Sequence, residues 1–447
     1  MQIHNNAIVP LSLLAIVLPF TAVNAARPAT APVVETDARF DPDVFPILAW
    51  DHLPSQTGST TAPANGIESM AECGFTIAGF VQPEDLPLCE KAGLKAIVAP
   101  KNKSPWAKGG WRTLSDADID TYVREMVVAA RQSPAVVGYY ITDEPGTPAF
   151  ATLAKAVAAV RRHAPGKLAY INLFPGYATI GAPDRSQLGA ASFTDYLEQY
   201  VREVQPQFLS YDNYMVLYSD DLQNPQTAAR YFKDLIEVRR VAIEHRLPFW
   251  NIVSSNQIRA FTPPPSPANL LLQAYTTLAA GAHGLSWYTY YGRGYGYAPI
   301  DKAGQRTETW GYLKMVNDQI KAIGPAMNRL RSTGVFFTSP PPVAGLPVLP
   351  GRVIEAVQVR TSLRQESGSD SPLMIGEFVD EAGTDFVMCV NLSLEHSINI
   401  KPKLRRETAL TTISAVDRRS LPFNSEQGHW LVPGQGILFR LGPQDSR

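Results

Sequence analysis

Short apolar runs alternate with helical patterns from about residue 44 to residue 331, and this alternation constrains the fold more than any other feature. Each run is a few residues long and rich in β-branched or aromatic residues, as expected for strands of a parallel sheet that is covered on both faces. The eight runs are Phe45–Trp50, Phe75–Phe80, Ala96–Ala99, Val136–Thr142, Leu168–Phe174, Phe208–Tyr211, Phe249–Val253 and Gly284–Tyr291. Eight strands and their helices over about 290 residues predict an α/β fold of the (β/α)8 type, a TIM barrel.

The helical patterns between the runs support this prediction. Ser115 and Asp118 form a capping-box start, and Ser266 stands as an N-cap before Pro267. A doubly wound open sheet is the competing arrangement, but its glycine-rich turn is absent, since Asp51-His52-Leu53-Pro54 follows the first strand. We therefore expect a barrel over residues 40–332.

The sequence changes character after residue 332. A proline-rich hinge runs from Ser339 to Gly351, and short strand-like runs follow it. These runs are Val353–Val359, Phe386–Asn391, Ser397–Ile400 and Ile437–Leu441. Residues 333–447 are therefore expected to form a small C-terminal antiparallel β-sandwich.

The first 25 residues have the pattern of a cleaved secretory signal peptide. An apolar stretch from Ile8 leads to Val23-Asn24-Ala25, a small-x-small cleavage pattern. Pro10 and Pro19 interrupt the stretch, which argues against a membrane-spanning helix. We expect a secreted or periplasmic protein with no membrane span in the mature chain.

Charge and cysteine content exclude several classes of partner. With 40 basic and 41 acidic residues, nothing favours binding to nucleic acid or to an anionic membrane. Cys73 and Cys89 could form a disulfide, but Cys389 is then left over, and a buried inert thiol explains Cys73 equally well. No metal-ligand spacing is present, so we expect neither a metal nor another cofactor. The oligomeric state is left open.

Polar and aromatic residues gather at the predicted carboxyl ends of the strands, where barrels carry their functional groups. The candidates at these ends, or beside them, are Asp51, Asp143, Glu144, Asn172, Tyr211, Asp212, Asn213, Tyr214, Ser254, Ser255, Asn256, Trp287, Tyr288 and Tyr291. Aromatic rings suit the apolar faces of sugars. Cleavage of a glycosidic bond needs one carboxyl to protonate the leaving oxygen and another as nucleophile or base. The pattern therefore predicts a carbohydrate substrate.

Glu144 is the preferred proton donor. It stands in the turn Asp143-Glu144-Pro145 at the end of the fourth strand. Adjacent carboxyls hinder each other's ionisation, which raises a pKa toward the value that a general acid needs. The alternative is that one of the two acids caps the helix that begins near Pro148. A helix cap does not require an acidic pair in a barrel mouth, so we favour the catalytic interpretation.

These segments carry a resemblance to known families. Val137–Pro145 resembles the fourth strand of the clan A glycoside hydrolases, in which Asn-Glu-Pro or a close variant carries the acid/base. Gly281–Tyr288 resembles the Gly-Ala-x-Gly segment on strand eight of barrel glycosidases, and Val387–Ser393 and Gly434–Leu441 resemble the β-sandwich often appended to them. The resemblance implies a glycoside hydrolase with Glu144 as its acid.

The seventh strand departs from that clan. The nucleophile there is a glutamate that ends strand seven, whereas this strand ends in Ser254-Ser255-Asn256. Asp212 is the preferred substitute, although it could instead orient Tyr211 or bind a sugar hydroxyl, and Asp51 is the next candidate. Asp143 is expected to tune the pKa of Glu144.

Three further functions stay open. Adjacent acids on strand four also resemble substrate-assisted N-acetylhexosaminidases and chitinases, in which the acetamido group of the substrate attacks and Asp143 would orient it. The absence of a glutamate at the end of strand seven also allows a carbohydrate-binding protein without activity. A scaffold protein of the cell envelope with no sugar ligand is a further alternative, for which the barrel mouth would be closed. Trp287 is expected to form the floor under the sugar, with Trp106 and Trp111 as rim candidates.

Overall fold

The computed structural model describes residues 41–53, 65–99, 110–130, 132–179, 186–292, 294–361 and 372–442. All of them belong to one compact unit, Thr36–Arg447. The predicted signal peptide and Trp106 lie outside the described residues. Of the helices in the described ranges, none combines the length and apolarity that crossing a membrane requires.

Eight parallel strands form the first sheet. They are β1 (Ile47–Ala49), β2 (Ile77–Val81), β3 (Lys95–Val98), β4 (Val136–Asp143), β5 (Leu168–Asn172), β6 (Leu209–Asp212), β7 (Phe249–Ser254) and β8 (Gly284–Tyr288). Their order is β5-β4-β3-β2-β1-β8-β7-β6, and a parallel bridge between Leu173 and Tyr211 joins the two outer strands. The sheet is therefore closed, and the predicted barrel is confirmed, with every strand overlapping one of the predicted runs.

Helices follow the strands around the barrel. They are α1 (Ile67–Glu72), α2 (Leu86–Ala92), α3 (Asp116–Ala129), α4 (Phe150–His163), α5 (Phe193–Val204), α6 (Ala228–Glu244), α7 (Pro267–Ala279) and α8 (Glu308–Met327). The expected capping box at Ser115 and the expected N-cap at Ser266 are both present, because Ser115 accepts a hydrogen bond from the Asp118 amide and Ser266 accepts one from the Asn269 amide. These caps satisfy amides at the start of α3 and α7.

The inside of the barrel is filled with large side chains. Phe80, Tyr170, Phe208 and Trp250 pack there with aliphatic residues from neighbouring strands. Gly284 makes room for the indole of Trp250, since a Cβ at this glycine would lie 2.5 Å from that ring. Because the interior is packed, a ligand can enter only where the strands end.

Two antiparallel sheets follow the barrel. Their strands are β9 (Arg331–Phe337), β10 (Ile354–Thr361), β11 (Leu373–Val379), β12 (Asp385–Asn391), β13 (Ile398–Leu404), β14 (Leu410–Ile413), β15 (Ser420–Pro422), β16 (His429–Leu431) and β17 (Gly436–Leu441). The sheet β10-β13-β16 faces the six-stranded sheet β15-β14-β17-β12-β11-β9 across an apolar core. The predicted C-terminal sandwich is confirmed.

Helix α7 joins the barrel to the sandwich. It is buried over most of its length and contacts β11, β12 and β17. The approach is close, since a Cβ at Gly376 would lie 2.2 Å from the carbonyl oxygen of Ala279. Contacts with the sandwich therefore fix the position of α7 and of the segment that connects β7 to α7.

Candidate active site

A cavity of about 300 Å³ opens at the carboxyl end of the barrel, and we call it the first cavity. Its lining comes from the ends of β1, β4, β5, β6 and β8 and from the loops beyond β5, β6, β7 and β8. The lining residues are Trp50, Asp143, Glu144, Asn172, Phe174, Tyr177, Ala178, Gln187, Asp212, Tyr214, Tyr218, Ile258, Arg259, Tyr288 and Tyr295. The predicted acids Asp143, Glu144 and Asp212 are therefore brought together in one cavity.

The backbone at Glu144 has an unusual conformation. Its φ of 45° lies in the left-handed region, which residues other than glycine rarely adopt. Its amide donates a hydrogen bond of 2.9 Å to the carbonyl oxygen of Asn172 on the neighbouring strand. Helix α4 has Ala149 as its N-cap and no side-chain cap, so neither Asp143 nor Glu144 caps it. The turn therefore places Asp143 and Glu144 in the lining of the cavity and does not cap the helix.

Asn172 connects the acids. Its side-chain nitrogen donates to Asp143 at 3.0 Å and to Asp212 at 2.9 Å. Its side-chain oxygen accepts from Ser210, which in turn contacts the hydroxyl of Tyr170 inside the barrel. This chain of hydrogen bonds orients the amide so that its two donors face the two carboxyls. We refer to Asp143, Glu144 and Asp212 as the acid cluster.

Burial raises the pKa values of the acid cluster. Burial raises the pKa of Asp143 to about 6, and burial together with the charge of Asp143 raises the pKa of Glu144 to about 7. Asp212 is more deeply buried, and burial and the charges of Glu144 and Asp143 hold its pKa well above the usual range. The carboxyls of Glu144 and Asp212 are hydrogen-bonded to each other. The ionisation of one carboxyl therefore hinders that of the other.

The contact between Glu144 and Asp212 bears on mechanism. Carboxyl groups stand about 5–5.5 Å apart in retaining glycosidases and about 6.5–9.5 Å apart in inverting ones. Two hydrogen-bonded carboxyls are closer than either separation. Asp212 therefore lies beside Glu144 rather than across the cavity from it.

Aromatic rings form another side of the first cavity. The rings of Tyr214 and Tyr288 stack at a centroid distance of 5.7 Å, and the hydroxyls of Tyr288 and Tyr295 are 2.9 Å apart. We call these three residues the tyrosine wall. The ring of Trp50 contacts Tyr288 at a centroid distance of 5.4 Å. Such a surface offers apolar faces for the C–H faces of a sugar ring.

Trp287 and Tyr211 were predicted to bind substrate but lie outside this cavity. Trp287 is fully buried, and its indole nitrogen donates to Asn317 on α8 at 2.8 Å. The expectation that Trp287 forms the floor is therefore wrong, because side chains alternate along β8 and the cavity side belongs to Tyr288. Tyr211 is also fully buried and does not line the cavity.

Four other predicted residues form hydrogen bonds with neighbouring segments instead of lining the cavity. Asp51 accepts hydrogen bonds from the hydroxyl of Thr289 and from the amide of Tyr291, both in the segment after β8. Tyr291 is itself buried. Asn213 donates to Asp234 on α6, and Asn256 donates to the carbonyl oxygen of Tyr288. None of these four residues lines the first cavity, contrary to the prediction that they bind substrate.

A second cavity of about 350 Å³ adjoins the first. Both cavities are lined by Asp143, Glu144 and Gln187, so Glu144 lies between them. The rim candidate Trp111 lines the second cavity, where its indole nitrogen donates to the carbonyl oxygen of Ile141 at 2.8 Å. Leu153, from α4, adds to its apolar lining.

Several lining residues were not predicted. Trp50 is the last residue of the first apolar run. This position at the carboxyl end of a strand could have identified it as a lining residue. Tyr177, Tyr218 and Arg259 come from segments after the strands, and nothing in the local sequence marks them as neighbours.

The three cysteines are free and buried in the structure. Cys73 and Cys89 therefore do not form a disulfide here. Burial raises the pKa of the Cys89 thiol to about 12, which makes it a poor nucleophile.

Comparisons with known proteins show the fold. No protein-family model and no curated protein matches the chain. It is similar to a family 5 glycoside hydrolase from Bacteroides vulgatus, with a TM-score of 0.50 and 11% identity over 90% of this chain and 89% of that one. It also matches a beta-galactosidase from Marinomonas ef1 (TM-score 0.46, 12% identity, 63% of this chain), of which it spans 60% of the length. The first of these likenesses agrees with the predicted (β/α)8 barrel fold.

Proposed function

We propose that this protein is a glycoside hydrolase that cleaves O-glycosidic bonds with Glu144 as proton donor. The acid cluster carries the proposal. Its three carboxyls meet at the ends of β4 and β6, and burial raises the pKa of Glu144 to about 7. Bond cleavage requires a carboxyl that is still protonated near neutral pH, because the leaving oxygen must receive a proton.

The two cavities support the same role for Glu144. A proton donor has to reach the oxygen between the sugar and its leaving group. Glu144 is shared by both cavities, so a substrate that occupies both would bring its glycosidic oxygen to this carboxyl. We assign the sugar ring to the first cavity because the tyrosine wall lies there, and the leaving group to the second.

A substrate-assisted mechanism is the second candidate. Two observations favour it: Asp212 lies beside Glu144, and β7 ends without a carboxylate. In this scheme the acetamido group of an N-acetylhexosamine attacks the anomeric carbon, Asp143 orients that group, and Glu144 protonates the leaving oxygen. The positions of Asp143 and Glu144 on one turn suit this division of roles.

Glu144→Gln tests the proposal. Turnover of unsubstituted phenyl glycosides, N-acetylhexosaminides included, would be measured for the wild type, for Glu144→Gln and for Glu68→Gln, whose carboxyl lies on the barrel surface. Phenolate is a poor leaving group, so its departure depends on the proton donor. We expect Glu144→Gln to lower kcat about 10²–10⁴-fold while sugar binding persists. Glu68→Gln should behave as wild type.

Two results would contradict the proposal. One is equal turnover by the wild type and Glu144→Gln. The other is glycan binding by both proteins with no cleavage by either, which is the outcome for a binding protein. The substrate-assisted scheme additionally requires that N-acetylhexosaminides be cleaved with retention of the anomeric configuration, which NMR of the product anomers measures. It also requires that glucosides, which carry a 2-hydroxyl instead of the acetamido group, are not cleaved.

We also propose that the protein is secreted after removal of its first 25 residues. The support is the signal pattern in the sequence. Mass spectrometry of the protein recovered from its native host tests it, and a mature chain that retains Met1 would overturn it.

A further inference from the structure

Arg259 is the basic residue among the described side chains that line the first cavity. It is exposed, and no described carboxylate pairs with its guanidinium. Two other surface arginines are paired: Arg240 with three glutamates and Arg352 with Asp385. An unpaired guanidinium at a cavity wall is available to a ligand.

The loop that carries Arg259 is held in place. The hydroxyl and the amide of Thr262 both donate to the carbonyl oxygen of Arg259, at 2.9 and 3.0 Å. Gln257 donates through its side chain to the carbonyl oxygen of Thr262 at 2.7 Å and through its amide to that of Gly296 at 2.9 Å. The loop after β7 is thus tied to the segment after β8, which positions the backbone of Arg259 before any ligand binds.

Arg259 does not form an ion pair with the carboxyls of the acid cluster. A guanidinium in contact with these carboxyls would lower their pKa values. Burial and the charge of Asp143 instead raise the pKa of Glu144, and burial raises that of Asp143. The cavity therefore has an acidic side, at the ends of β4 and β6, and a cationic side, at the loop after β7.

We propose that Arg259 binds an anionic group on the sugar, a carboxylate or a sulfate, so that the substrates are acidic glycosides. This inference rests on the proposed function. A guanidinium presents paired N–H donors that match the two oxygens of a carboxylate or of a sulfate. With the anion on Arg259, the tyrosine wall receives the ring and Glu144 the glycosidic oxygen. The inference accounts for a cation that has no partner within the described protein.

The first test compares matched substrates. Values of kcat/KM would be measured for 4-nitrophenyl glucuronide against glucoside, for galacturonide against galactoside, and for the 6-sulfated forms of the two neutral glycosides. We expect the wild type to prefer acidic members, and Arg259→Gln to lower the ratio of acidic to neutral turnover about 10–100-fold. Arg259→Lys should restore part of the ratio, since it keeps the charge but not the paired donors. The uronide and sulfate arms distinguish the two anions.

The matched control is Arg246→Gln. Arg246 is an exposed arginine that precedes β7, whereas Arg259 follows it, so the two variants remove equal charge at opposite ends of one strand. The control should keep the wild-type ratio. A wild type without preference for acidic glycosides, or an equal fall in the ratio for both variants, overturns the inference.

A binding measurement separates this inference from the hydrolase proposal. Sodium D-glucuronate, sodium D-galacturonate, D-glucose 6-sulfate, D-glucose and D-galactose would be titrated into wild type and Arg259→Gln by NMR. If no glycoside is cleaved but an acidic sugar binds more tightly than its neutral counterpart, and only to the wild type, the role of Arg259 stands and the hydrolase proposal fails. If neutral glycosides are cleaved and acidic sugars bind no better, the hydrolase proposal stands and the role of Arg259 fails.

Discussion

The carboxyl ends of β4 and β7 lie in the same barrel mouth but differ in chemistry. β4 ends in two acids that face a cavity, and burial raises the pKa values of both. β7 ends in Ser254, Ser255 and Asn256, which are buried and donate to the carbonyl oxygens of Asn256, Thr289 and Tyr288 respectively. The residues at the end of β7 therefore form hydrogen bonds with the end of β8 and the residue after it. The acidic side chains lie on the half of the barrel formed by β4, β5 and β6.

After Glu144→Gln, the largest expected effect tests this asymmetry directly. Asp212→Asn removes the carboxyl that is hydrogen-bonded to Glu144, and we expect kcat to fall about 10²–10³-fold on a phenyl glycoside. Ser255→Ala, at the end of β7, should change kcat less than about tenfold, because its hydroxyl only donates to the carbonyl oxygen of Thr289. The opposite order would place the second catalytic group on β7.

A smaller effect sharpens the role of Asp143. Its negative charge adds to burial in raising the pKa of Glu144 to about 7, so Asp143→Asn should lower that pKa. Glu144 would then lose its proton at a lower pH. We expect the alkaline limb of kcat/KM to move by about one unit toward acidic pH, measured from pH 4 to pH 9. Asp116→Asn, an exposed carboxylate on α3, is the control, and an unmoved limb in Asp143→Asn would contradict this role.

The acid cluster should also make stability depend on pH. The pKa values of Asp143 and Glu144 are raised to about 6 and about 7, so between about pH 4 and pH 7 the folded chain binds more protons than the unfolded chain. These groups therefore reduce the free energy of unfolding as pH rises through this window. Glu144→Gln should raise Tm at pH 8 relative to wild type by about 1–3 °C and raise it less at pH 5, as calorimetry can check. Equal changes in Tm at both pH values would argue against a raised pKa.

The smallest effect distinguishes the two faces of β8. Trp287→Phe removes a hydrogen bond to Asn317, so we expect the free energy of unfolding to fall by about 1–2 kcal/mol with KM unchanged. Tyr288→Phe keeps the ring but loses the contact with the hydroxyl of Tyr295, and KM should rise a few-fold. Denaturant titration and steady-state kinetics measure both. A raised KM in Trp287→Phe alone would reverse the assignment of the two faces.

The barrel and its acidic turn were accessible from the sequence because both depend on local patterns. Apolar runs of strand length are marked by neighbouring residues, and Asp143 and Glu144 are adjacent in the chain. The two faces of β8 were not accessible. Trp287 and Tyr288 are both large and aromatic, and both sides of a barrel strand are covered, so alternation separates them without saying which one faces the cavity.

The sequence by itself determined the closed ring of parallel strands, the sandwich behind it and the place of Glu144 at the end of a strand, because periodicity and turn composition act over a few residues. Only the tertiary structure decided that Asp212 contacts Glu144, that Trp50 lines the cavity and Trp287 does not, and that Arg259 shares a cavity with the acids. Those relations join residues far apart in the chain, and their distances are set by the closure of the barrel and the packing of its loops.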